Sequence, residues 1–354
     1  MTPRTTGDVT AEWLGDVLGC TVTSIDLVPI AAGQGFMGQL ARVAITSPDP
    51  GAPTSVIVKV PNPDPAAQFL GQVMRTWERE HGFYRDAAPH MSVRVPTAHV
   101  NIGDPPCFVF EDLAPATPGD HVAGATLDQA ERAIDLLARH HAFWWEHPLL
   151  RTFSWMPGLD DPMIHTLKPT FDLGWPAFLA RYDGDLPSRV IGWCERFVEE
   201  IVPWVGRHLD DPITMTHGDF RLDNIFFDDG PGGTGEVSLI DWQNAMRAPG
   251  GSDLVYFCAN NLTVEMRRTH ERDLIARYLD RLRSHGVPTD ALTEQQVWDG
   301  YREGLLFYAL SFGGSILTLN PANERGAALL DALVPRPFNA VADLDAGHEL
   351  GYTD

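Results

Sequence analysis

The sequence predicts an α+β protein of two lobes, a small β-rich N-terminal lobe over residues 1–112 and a larger, mainly helical lobe over residues 113–354. Three observations carry this reading. Alternating or β-branched segments crowd the first third, at Ile25 to Ile30, Leu40 to Ile45, Ser55 to Val60 and Pro106 to Leu113. Long segments of helical period follow, among them Leu127 to Trp145 and Gln295 to Leu319. The helical part is interrupted by an apolar run from Asn224 to Phe227, a turn-rich Asp228-Asp229-Gly230-Pro231-Gly232-Gly233 and a second run from Glu236 to Ile240, which reads as a β-hairpin. At 354 residues and 44% hydrophobic, the chain can build two solid cores and is short of three domains.

The elements can be justified in order. Gly33-Gln34-Gly35-Phe36-Met37-Gly38 fits G-x-G-x-x-G and lies between two strand-like segments. A dinucleotide-binding loop would start a helix there, whereas Gln39 to Ile45 alternates as a strand. The expected unit is therefore strand-turn-strand, with Gly33, Gly35 and Gly38 letting backbone amides approach phosphates. The next strand carries Lys59. One helix is expected from Pro65 to Tyr84, its apolar stripe formed by Phe69, Leu70, Val73, Met74, Trp77 and Tyr84. Glu80 falls at the margin of that stripe and Glu78 points off it, so Glu80 is the expected partner of Lys59. Pro106 to Leu113 is a short apolar strand ending in Glu111-Asp112-Leu113 and reads as the hinge between lobes.

The chemistry concentrates in Thr216-His217-Gly218-Asp219-Phe220-Arg221-Leu222-Asp223-Asn224, followed by Leu239-Ile240-Asp241-Trp242-Gln243. Phosphoryl transfer asks the protein to orient an acceptor hydroxyl with a carboxylate and to neutralise triphosphate charge. Asp219 fits the first task. Asn224 and Asp241 offer hard oxygen ligands to Mg²⁺, which takes a few such ligands together with substrate phosphates. Lys59, held by Glu80, would lie against the α- and β-phosphates of ATP, and backbone groups from Glu111 to Leu113 would meet the adenine edge. Each motif alone is an ordinary polar turn or strand end; both in this order, after the upstream elements, point to an enzyme. A metal hydrolase with His217 and Asp219 as ligands would need further His or Asp at short spacing, and none lies nearby in sequence.

The stretch HGDFRLDN followed by IDWQ resembles the aminoglycoside phosphotransferase and choline kinase superfamily, and Gln243 after Asp241-Trp242 is most similar to its ecdysteroid-kinase-like branch. That resemblance implies a protein-kinase-like fold, ATP and Mg²⁺ as cofactors, Asp219 as catalytic base, Asn224 and Asp241 as metal ligands, and His217 as a brace of the catalytic loop. It places Arg221 where protein kinases carry a Lys near the transferred phosphate, and gives Asp253 a bracing role beyond its helix-capping one. Gly218 and Gln243 stand where protein kinases have Arg and Gly, which argues for a small hydroxylated acceptor over a protein. The alternative is a catalytically silent, kinase-like nucleotide-binding protein; intact Lys59, Asp219, Asn224 and Asp241 count against it.

Bulk properties add constraints. A net charge of −22 disfavours nucleic acid and anionic membranes as partners, and its acids are too dispersed to name a cationic acceptor. No apolar run reaches membrane-spanning length and the first residues carry no signal-peptide pattern, so a cytoplasmic protein is expected. The four cysteines, Cys20, Cys107, Cys194 and Cys258, lack C-x-x-C spacing and read as free thiols. His140 and His141 are adjacent, the wrong spacing for a helical metal face, and read as core residues. Tyr301, Phe307, Tyr308 and Phe312 would line an acceptor pocket or simply fill the core. Composition leaves the oligomeric state open.

Overall fold

The computed structural model describes residues 1–30, 37–182, 184–315 and 324–353. Gly33 and Gly35 lie outside them. The chain divides into two compact units, one of Met1–Thr117 with Asp228–Gln243, the other of Pro118–Phe227 with Asn244–Asp354.

The first unit is built on a five-stranded antiparallel sheet of β1 (Ser24–Ile30), β2 (Gly38–Thr46), β3 (Ser55–Pro61), β4 (Ala98–Gly103) and β5 (Pro106–Glu111), in the order β1-β2-β3-β5-β4. Strand alternation sorts its faces. Val56, Val58 and Val60 of β3 join Val43, Val109 and Leu14 in an apolar core. Leu14 belongs to a helix the patterning above did not single out, α1 (Ala11–Leu18). Its signals were nonetheless present: Thr10 caps it by accepting from the Trp13 amide, and Gly19 ends it at φ 67°. On β3 and β5, Lys59 pairs in register with Phe108.

The single helix expected from Pro65 to Tyr84 is two. α2 (Pro65–Val73) starts on Asp64, whose Oδ1 accepts from the amides of Ala66 and Ala67, and α3 (Thr76–Gly82) follows a break at Arg75, which sits at φ 51°. The break resets the helical phase. Phe69 is consequently 68% exposed and Val73 also exposed, so the predicted stripe does not run through both helices. Trp77, in contrast, stacks on Phe108 at 6.2 Å, which lays α3 against the sheet face that carries Lys59.

In the second unit, after the two-residue β6 (Thr117–Pro118), α4 (Leu127–Trp144) opens with a capping box of Thr126 and Gln129. α5 (Leu167–Tyr182) and α6 (Ser188–Arg207) follow. β7 (Thr214–Thr216) leads into the Asp219 loop and pairs antiparallel with β10 (Met246–Ala248). The expected hairpin strands are both shorter than read: β8 (Ile225–Phe227), in this unit, starts only after Asn224 ends a 3-10 turn, and β9 (Val237–Leu239), in the first unit, starts only after a loop that closes on the Asp228 carboxylate, which accepts from Thr234 N and Oγ1 at 2.8 and 2.9 Å. α7 (Gly251–Asn261), α8 (Val264–Ser284), α9 (Glu294–Ser315), α10 (Glu324–Leu333), α11 (Pro335–Asp343) and α12 (Ala346–Glu349) complete the chain. Leu319, the expected end of α9, lies outside the described residues.

Candidate active site

Within the first unit, three ionisable side chains converge. The Lys59 ammonium lies 2.8 and 2.7 Å from the two Glu80 oxygens and 2.7 Å from Asp241 Oδ1. Lys59 and Glu80 are buried, and Lys59 also sits 5.6 Å from the centroid of the Trp77 ring. Burial, followed by the Asp241 charge, pushes the Glu80 carboxyl up to about 7 against the pull of Lys59. Burial pulls the Lys59 ammonium down, but the two carboxylates outweigh it and raise it. Glu80 reaches Lys59 because α3 begins anew after Arg75. Gly38, the one described glycine of the glycine-rich motif, opens β2; a Cβ there would stand 3.1 Å from Trp77 and 3.6 Å from Lys59 Cε, so its bareness admits both.

Asp241 follows β9 in the left-handed region, at φ 67°, a conformation that strains a non-glycine residue and recurs where a side chain must be aimed. The next residue fixes it. Trp242 is fully buried and stacks on Phe83 at 4.3 Å and 3°, while its indole N–H donates to the Leu239 carbonyl at 3.3 Å. Phe83 directly follows α3, so this stack ties the Glu80 helix to the strand end bearing Asp241. The Gln243 side chain adds one long contact, its Nε2 donating to Asp241 Oδ2 at 3.4 Å.

Within the second unit, the loop after β7 is held at each step. Gly218 turns at φ 75°, and a Cβ on it would fall 2.3 Å from the Asn244 carbonyl oxygen. The Asp219 amide donates to His217 Nδ1 at 3.2 Å, which makes that nitrogen the acceptor and leaves the ring proton on Nε2. His217 is fully buried, so this contact is made out of reach of solvent. The Asp219 carboxylate accepts from Tyr256 Oη on Oδ1 at 2.9 Å and from Asn224 Nδ2 on Oδ2 at 3.2 Å, with Arg221 Nε 3.3 Å from Oδ2. Asn224 Nδ2 also donates to the Asp219 carbonyl at 3.0 Å.

α7 supplies the frame for this loop. Asp253, buried in its first turn, accepts from the backbone amides of His217 at 2.6 Å and Gly218 at 2.9 Å. His141 Nε2 lies 3.3 Å from the same carboxylate, and its Nδ1 is 2.8 Å from Tyr278 Oη. Burial would raise the Asp253 carboxyl, but His141 and the loop donors hold it below its ordinary value. At the other end of the helix Asn261 Oδ1 accepts from Leu222 N at 2.8 Å and its Nδ2 donates to the Phe220 carbonyl at 3.2 Å. The histidine pair is therefore core, as its spacing suggested, and His141 is in addition part of the brace. Sequence reasoning missed Tyr256; its signal was the i+3 spacing from Asp253, which puts both on one face of a helix.

The acids at the end of β5, expected above to form a hinge, are committed within the first unit. Glu111 accepts from Arg94 and, at 3.0 Å, from the Thr97 amide, and its own N–H donates to the Thr97 carbonyl at 2.8 Å. Asp112 accepts from Arg42 Nε and Ser55 Oγ, both at 2.8 Å. In the second unit Asn224 spends its Nδ2 on Asp219, so its Oδ1 is the atom of a kind that hard cations take; in the first, Asp241 carries a carboxylate of the same kind. The four cysteines are free thiols, and no helix among the described residues is long and apolar enough to cross a membrane.

The model of the phosphotransferase enzyme family matches residues 38–285. A curated relative, acyl-CoA dehydrogenase family member 11 of Gallus gallus, is 28% identical over 127 residues, 35% of this chain; the chain spans 14% of that relative's length. Among solved structures, a putative aminoglycoside phosphotransferase of Ralstonia eutropha is 14% identical with a TM-score of 0.57, covering 96% of this chain and 97% of its own. The choline kinase LicA of Streptococcus pneumoniae is 12% identical with a TM-score of 0.52 over 96% and 97%. The GDP complex of wild-type aminoglycoside 2'-phosphotransferase-IIIa is 14% identical with a TM-score of 0.52 over 91% and 94%. At these identities the likeness establishes the kinase-like fold. The family match does not single out a branch, and the placement with the ecdysteroid-kinase-like one rests on Gln243.

Proposed function

The chain belongs to the phosphotransferase enzyme family, and from that premise we propose that it is a small-molecule kinase moving the γ-phosphate of ATP to a hydroxyl of a small acceptor. The observation that carries the reading is Lys59 held between Glu80 and Asp241. Burying an ammonium and a carboxylate costs several kcal/mol per ion before pairing, so a merely structural strand would be better served by an apolar residue, and such clusters concentrate at functional sites.

In this reading Lys59 aligns the α- and β-phosphates and Glu80 fixes its position. The adenine edge meets the backbone from Glu111 to Leu113; since the Glu111 amide is committed to Thr97, the donor to the base would come from the backbone after it, toward Leu113. Asp219 orients the acceptor hydroxyl and takes its proton, with Arg221 beside it to meet the transferred phosphate. His217 keeps the loop in shape, and Gly33, Gly35 and Gly38 give the phosphates room. Mg²⁺ on Asn224 Oδ1 and Asp241 would neutralise charge on the triphosphate. Use of ATP and Mg²⁺ would suit a cytoplasmic enzyme.

The test pairs two measurements on one preparation: calorimetric titration of Mg·ATP, and ADP release against a panel of hydroxylated metabolites, sterols and antibiotics. Asp219→Asn keeps size and shape but removes the proton acceptor, so turnover should fall by about two to four orders of magnitude while ATP binding survives. Binding without turnover by any panel member, in the wild type as in the variant, would favour the silent nucleotide-binding reading.

A further inference from the structure

Resting on the kinase reading, we infer that Tyr256 is a positioning residue for the base, its hydroxyl setting which lone pair of Asp219 faces the acceptor. Three observations converge on it. Tyr256 Oη donates to Asp219 Oδ1 at 2.9 Å, whereas Asn224 and Arg221 both address Oδ2. The two carboxylate oxygens are thereby made inequivalent: one is anchored from α7, the other from the loop itself. A carboxylate rotates about a broad, two-fold torsion, so a donor on each oxygen is what it takes to fix the plane of the group.

The tyrosine is itself fixed. Its ring meets Tyr308 of α9 edge to face at 5.3 Å and 84°, an arrangement that favours aromatic pairs and holds the phenol in one rotamer. Its helix is tied to the loop on either side of it, by Asp253 to His217 and Gly218 and by Asn261 to Phe220 and Leu222. Asp253, Tyr256 and Asn261 are spaced i, i+3 and i+8, one face of the helix. The same face thus sets the backbone of the loop and the side chain of its acid. Burial and the neighbouring Asp219 charge hold the Tyr256 phenol far above its ordinary value, so it stays a donor.

The test is a double-mutant cycle read in ADP release from Mg·ATP, with water, choline and kanamycin as separate acceptors, and in Mg·ATP affinity by calorimetry. Tyr256→Phe keeps the ring against Tyr308 and deletes the hydroxyl. Its kcat should fall about tenfold to a hundredfold, the size of one hydrogen bond to a charged group, with nucleotide affinity and melting temperature held. In an Asp219→Asn background the same substitution should have no further effect on kcat, because it acts only through the carboxylate. An equal loss in both backgrounds, or no loss in the first, overturns the inference while leaving the kinase reading intact. If Asp219→Asn itself leaves ADP release unchanged, the kinase reading has failed and this inference falls with it.

Discussion

At Gly218 the backbone turns through φ 75° and the Asn244 carbonyl oxygen stands 2.3 Å from where a Cβ would be, so conformation and space both demand glycine. Gly218→Ala is expected to cost about 2 kcal/mol or more, from strain plus the displaced carbonyl, and to cut turnover together with stability, since the residue next along is Asp219. A denaturant melt beside an activity assay checks this. Lys59 presents the reverse case, a residue whose loss should spare the fold. Lys59→Ala leaves Glu80 and Asp241 facing each other, yet Glu80 is already pushed up to about 7 and can take a proton to relieve the repulsion. Productive ATP use should therefore fall severely while the thermal melt stays within a few degrees; Glu80→Gln should act in the same direction and less strongly. Full activity of Lys59→Ala with a verified acceptor would remove Lys59 from the nucleotide site.

Among the elements, α7 has the widest reach, and its energetics can be probed through pH. Asp253 sits below its ordinary value of 3.8 in the folded chain, so it contributes stability that is present above the unfolded value and is lost as pH falls through the lower, folded one. Asp253→Asn should accordingly be destabilised by about 3 kcal/mol at about pH 7, the scale for breaking a buried hydrogen-bonded charge, and the gap to the wild type should narrow toward about pH 3. Urea melts at the two pH values measure it. A gap independent of pH would show that Asp253 acts through shape alone. The stack of Trp242 on Phe83 plays the corresponding part in the first unit, since it joins the end of α3 to the residues after β9.

At the scale of the whole molecule, the sequence was legible where chemistry is written at short spacing. The strand bearing Lys59, the His-Gly-Asp loop, the second Asp at a strand end and the α+β division all follow from periodicity and local motifs, because strands, turns and helix faces are decided within about ten residues. The pairing of Lys59 with Glu80 was legible too, as both lie in neighbouring elements of one unit. The helix from Pro65 to Tyr84 was misread because an apolar period says nothing about a single left-handed residue, and Arg75 is one that composition would not flag. The grouping of Asp228–Gln243 with the first 117 residues could not be read either, since the chain leaves that unit and returns more than a hundred residues later. Nor could the frame around Asp219: Tyr256 reaches it across 37 residues, and His141 meets Asp253 across 112. The sequence by itself thus determined which residue types are present and in what order, because the chemistry of each is its own. Only the tertiary structure decided which donors surround each carboxylate, because that depends on contacts whose closure no local pattern encodes.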